Sequence, residues 1–71
     1  MDHDDLVSRL QVTYQERQFA YGVVGSVAIM EVYVSEAGTW TIIMTDIAGR
    51  SCIIAAGEGW EHNTPASTPA L

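Results

Sequence analysis

Between Ser26 and Ser35 the residues Val27, Ile29, Met30, Val32, Tyr33 and Val34 form a β-branched and aromatic run too dense for apolar and polar positions to alternate. A strand with one face in water alternates, so this pattern predicts a central strand with apolar side chains on both faces. In a chain of 71 residues that is a severe constraint. There is room for one hydrophobic core and not for a second, so the elements around this strand must form a single domain. Chains this short balance apolar burial against ordering entropy near zero, which makes pairing with a partner or with a second copy an expectation from the outset.

Upstream, Leu6, Val7, Leu10 and Tyr14 recur at i, i+1, i+4 and i+8, one stripe of an amphipathic helix expected from about Asp4 to Gln15, with Val12 off the stripe. Asp2, Asp4 and Asp5 suit its start, where a carboxylate caps free N–H groups and meets the positive end of the dipole, and Arg17 suits its other end. From Phe19 to Gly25 the residues Tyr21, Val23 and Val24 are set around Gly22 and Gly25, which reads as a short strand or an irregular connection. Downstream, Glu36-Ala37-Gly38 is a short loop, and Thr39 to Thr45 alternates Trp40, Ile42 and Met44 against Thr39, Thr41, Ile43 and Thr45. Asp46-Ile47-Ala48-Gly49 turns the chain again, and Arg50 to Ala56 returns through Cys52, Ile53 and Ile54.

The expected fold class is therefore α+β: an N-terminal amphipathic helix packed on a three- or four-stranded antiparallel β-meander, lying across the face that carries Trp40, Ile42 and Met44. Residues 1–61 form the domain, closed by Gly57-Glu58-Gly59-Trp60, and residues 62–71 have the Pro, Ser and Thr content of a flexible tail.

Composition narrows the function classes. Nine acidic residues against three arginines give a formal charge of −6, a surface that repels phosphate backbones and anionic lipid, so neither direct nucleic-acid binding nor membrane docking is expected. No apolar run approaches the roughly 20 residues that span a bilayer, and the acidic first residues are the opposite of an export signal. The expected location is cytoplasmic, or virion-associated, for a complete chain, and periplasmic if a signal has been removed. Cys52 is the only cysteine, which excludes an internal disulfide and a multi-cysteine zinc site.

Few residues offer chemistry. Met1-Asp2-His3 places a histidine third from the amino terminus, where amine, amides and imidazole can form a square-planar site for Cu(II) or Ni(II); the plain alternative is a solvated histidine. Cys52 has no nearby base, since His3 and His62 stand at opposite ends of the chain, so it reads as a small buried strand residue. Glu31, inside the most apolar strand, is either a perturbed general acid or a structural partner of Arg9, Arg17 or Arg50, or is exposed at an edge. Trp60, flanked by Glu58 and Glu61, either anchors a protein partner or closes the end of the core. No Gly-x-Ser-x-Gly elbow and no phosphate-binding loop is present.

Several blocks carry a resemblance: Leu6, Val7, Leu10, Tyr14 and Glu16 in the helix, Met30-Glu31-Val32-Tyr33-Val34-Ser35, Gly38-Thr39-Trp40-Thr41-Ile42, and Gly49-Arg50-Ser51-Cys52 through to Glu61. Over about residues 5–61 the chain resembles small exported proteins of alphaproteobacteria, whose function is uncharacterised. The last block bears the specific signal, Gly-x-x-Cys-x-x-x-x-Gly followed by an aromatic. The resemblance implies a second cysteine before the helix and an export signal; both are missing from this sequence, which suggests a cytoplasmic or phage-borne version.

The functional expectation is a small non-enzymatic protein-interaction module, binding a protein partner or itself, with no cofactor and no small-molecule substrate. Its alternatives are a structural part of a larger assembly such as a phage particle, and an acidic inhibitor that mimics nucleic acid.

Overall fold

The computed structural model describes residues 1–62, so the expected tail lies outside the described residues except for His62. The helix, α1, runs His3–Tyr14. Asp2 is its N-cap: the carboxylate oxygen Oδ2 accepts the backbone N–H groups of Asp4 at 3.1 Å and Asp5 at 3.3 Å. At the other end Gln15 takes a left-handed conformation (φ 55°), and its N–H donates to the carbonyl of Gln11 at 3.0 Å, a left-handed stop that turns the chain directly into the sheet.

Four antiparallel strands follow in sequence order across the sheet: β1 (Arg17–Val24), β2 (Ala28–Val34), β3 (Trp40–Asp46) and β4 (Ser51–Gly57). The fold is thus the expected helix and meander, with four strands. The segment after Gln18 is not an irregular connection but part of a full edge strand, because β2 offers it a complete ladder of partners from Val34 to Ala28. Each of the three hairpin turns contains a glycine with positive φ, Gly25, Gly38 and Gly49. At the β3–β4 turn Asp46 Oδ1 accepts the N–H groups of Ala48 and Arg50, at 2.9 and 3.0 Å, while Gly49 supplies the positive φ of 83°.

The core is small. Leu6, Leu10, Tyr33 and Ile43 are its buried hydrophobic residues, with Val7 packed against them. Tyr14, the last member of the helical stripe, is half exposed, since α1 ends there and the backbone turns away toward β1.

The side on which the helix packs corrects the sequence-based expectation. Glu31 pairs with Ile43 and Tyr33 with Thr41, and these buried residues define the face under α1. Trp40, Ile42 and Met44 alternate with Thr41 and Ile43 and so point to the other side. Two anchors hold the helix where it is. The stop at Gln15 fixes its end beside β1, and its start is clasped to β4 by Ser51 N–H to the Met1 carbonyl at 2.6 Å, by the Met1 amine to the Ser51 carbonyl at 3.1 Å, and by His3 N–H to the Gly49 carbonyl at 3.0 Å. The polar residues of this face are made compatible with burial by pairing: Thr45 and Ser51 share a hydroxyl hydrogen bond of 2.6 Å, and Ser35 and Thr39 one of 2.8 Å.

Candidate interaction surface

With the helix on the Ile43 side, the opposite face of the sheet has no layer over it among the described residues. Pleating and register say what it carries, because directly paired residues of an antiparallel ladder point the same way. One row across all four strands reads Ala20, Val32, Ile42, Ala55. The next reads Gly22, Met30, Met44, Cys52. Toward the other end stand Val34, Trp40 and Gly57, and toward the β1–β2 turn Val24 and Ala28. No charged side chain lies in the two central rows; Arg17, in register with Val34, and Asp46, in register with Ala28, face the same side at opposite margins. A one-sided antiparallel sheet alternates apolar-in and polar-out, and this sheet does not.

Cys52 therefore departs from its expected burial: it is exposed, because its position in the ladder puts it on the uncovered side.

One end of the face is built up by aromatic rings. Trp60 lies with its ring centre 5.5 Å from Phe19, edge to face, and 6.1 Å from Trp40. His62 stacks edge-on at 4.8 Å against the other partner of Trp60, Phe19. The Trp40 indole N–H donates to the Glu58 carbonyl at 3.1 Å, and its ring covers Gly57 so closely that a Cβ there would stand 2.9 Å from it. Glycine at 57 is thus required by the indole. Trp60 does not close the core, which lies on the far side of the sheet; it is half buried at the end of the open face. Glu58 and Glu61 have exposed side chains beside it. Among these, sequence reasoning named Trp60, Glu58 and Glu61 and missed Phe19 and Trp40, whose proximity depends on a bulge in β1 between Gln18 and Ala20.

His3 sits elsewhere, under the helix start, and is not freely solvated. Its Nε2 donates to Glu31 Oε1 at 2.7 Å, while Gln18 Nε2 and the Tyr33 hydroxyl donate to Glu31 Oε2 at 2.6 and 3.0 Å. Glu31 is thereby an internal acceptor for three donors, and its partner is a histidine rather than any of the three arginines. The cluster borders an open groove of about 480 Å³ that also involves Tyr21, Ile29 and Gly49. Metal capture by Met1-Asp2-His3 would have to break the bonds of the terminal amine to Ser51, of the His3 amide to Gly49 and of the imidazole to Glu31. No group of three or more metal-ligating side chains gathers among the described residues.

Burial pushes the His3 pKa down, but hydrogen bonds to Glu31 and Asp4 and their charges together outweigh it, so the imidazole titrates above its ordinary 6.5. Tyr33 is pushed up to about 12 by burial and by its contact with Glu31. Asp46 is held below its ordinary 3.8, first by the backbone N–H of Arg50. The signs set a pH window. A raised histidine stabilises the fold fully below its unfolded pKa and loses that contribution as pH rises through the folded value; a lowered aspartate contributes above its unfolded pKa and loses it as pH falls through the folded value. These groups thus favour stability between about pH 4 and 6.5, and urea midpoints should fall from pH 6 to pH 8.5. In His3→Gln that alkaline fall should be absent; an unchanged fall would assign it to another group.

No protein-family model, curated protein or solved structure matches this chain.

Proposed function

We propose that this chain is a non-enzymatic protein-interaction module that docks through the uncovered face of its sheet, with the Phe19, Trp40 and Trp60 cluster as one end of the contact. The observation that carries this reading is the apolar surface spanning four strands on the side away from α1, whose two central rows carry no charge. Contiguous apolar patches of several hundred Å² on small proteins are characteristic of binding sites, and aromatic residues at their centre or rim supply much of the affinity. The acidic-mimic alternative has weaker support, because two of the nine carboxylates are inside the fold. Glu31 is consumed by the His3 cluster, and Glu16 is 1% exposed. The remaining charge is spread over the helix start, the turns and the residues after β4 rather than along one strip.

Met44→Glu tests the reading. It places a charge within the face and leaves the helix side untouched, so it should weaken any complex by roughly a hundredfold or more while the single chain still melts normally. A complex with unchanged affinity would remove the sheet face from the function.

A further inference from the structure

Resting on that docking reading, we infer that the partner is a second copy of this chain, and that two sheets stack face to face into an α-β-β-α dimer with the helices outside.

The first support is the shortage of core. Of the large hydrophobic side chains among the described residues only Leu6, Leu10, Tyr33 and Ile43 are buried, although 48% of the chain is hydrophobic. A single two-layer core of this size is marginal, and the other side of the same sheet carries apolar rows with no layer over them among the described residues. The second support is area. Four strands of about seven residues, ~4.8 Å apart and ~3.3 Å per residue, give a flat footprint of ~440 Å². Side-chain relief adds to that, so two copies remove on the order of 1,000 Å² or more in total, where specific association separates from incidental contact.

The third support is self-complementarity. A twofold contact brings the same patch against itself, which fails wherever the patch carries a charge or an unpaired donor. Here the central rows contain neither, and the charges of Arg17 and Asp46 stand at the rim, the arrangement of an apolar interface with a polar border. The carboxylates of the helix start do not oppose this geometry. With ~10 Å between packed sheets and a similar layer spacing to each helix, the acidic helix starts sit ~30 Å apart, several Debye lengths at physiological salt. An anionic lipid surface would instead meet the exposed carboxylates of Glu58 and Glu61 beside the face.

The test uses the full chain, kept reduced, in light scattering from about 5 to 200 μM, with Val32→Glu at the centre of the face and Met30→Arg as a second variant at a position already exposed. Cys52 reports on the face directly through its rate of reaction with a thiol reagent. The expected result is a particle of about 15 kDa, twice the 7.7 kDa chain, that becomes a folded monomer in both variants, with Cys52 reacting roughly tenfold faster or more once the face is freed. A wild-type monomer with reactive Cys52, binding an apolar dye that Val32→Glu no longer binds, overturns self-association and leaves the docking face for a different protein. A monomer with unreactive Cys52 and no dye binding overturns both readings, since the chain then covers its own face. A dimer that persists in both variants also overturns both, because association then runs through another surface, such as the edge of β1.

Discussion

Ile43→Ala should strip this fold of a large part of its stability. Ile43 is wholly inaccessible, in a central strand, and is one of only four buried hydrophobic side chains among the described residues, so few buried neighbours stand beside the space it vacates. Truncation of such a residue costs about 2–5 kcal/mol, in transfer free energy and in the cavity left behind. At about 0.05–0.15 kcal/mol per residue the whole domain holds roughly 4–11 kcal/mol, so one substitution removes between a fifth and all of it. The adjacent residue provides the control. Ile42 points to the uncovered face, and Ile42→Ala, made on the monomeric Val32→Glu background, should cost under about 1 kcal/mol in a urea melt followed by circular dichroism. Equal losses at the two positions would mean that α1 does not choose between the faces as described.

The second large effect is expected at Glu31. Glu31→Ala deletes the acceptor for His3, Gln18 and Tyr33 together and leaves three donors around an empty site. Removing one side of a buried charge-assisted cluster costs about 3–5 kcal/mol, much of it the desolvation of groups left unpaired. Glu31→Gln keeps an acceptor oxygen but turns an NH2 group toward a ring of donors, so it should fall between alanine and wild type. A double-mutant cycle of Glu31→Gln with His3→Gln reads the pairwise part alone. That coupling should be larger at pH 6 than at pH 8.5, because the imidazole, its pKa raised, is charged at the lower pH and loses that charge as pH rises through the folded value. A coupling near zero at both would mean that water satisfies the cluster.

The elements of this fold are legible in the sequence because local physics places them. Asp2 caps the helix, Gly38 and Gly49 turn the hairpins, and the run ending at Val34 occupies an inner strand. What the alternation in β3 does not encode is its sign. Trp40, Ile42 and Met44 are more apolar than Thr41, Ile43 and Thr45, and a period of two says only that the sets face opposite ways. When both sides of a sheet are apolar, the side a helix takes is decided by its tethers, here the stop at Gln15 and the backbone bonds from residues 1 and 3 to residues 51 and 49. The His3–Glu31 pair was invisible for a related reason: its members are 28 residues apart and meet only once that choice is made. The density of the run around Glu31 did mark it as an inner strand with apolar side chains on both faces.

The clasp between Met1 and Ser51 has a kinetic consequence. Every strand pairing in this meander joins neighbours in the chain, through loops short enough to close quickly, so the hairpins can form as fast as their residues become available. The contacts that seat α1 instead close a loop of fifty residues. Residues 1–3 are thus made before every strand of the sheet and are among the last to find their partners. Until residues 49–51 emerge, a nascent helix has no fixed seat, and both sides of the forming sheet stay uncovered. The period of greatest vulnerability to sticking falls in that interval, and its length is set by the time needed to make β3, the last turn and the start of β4.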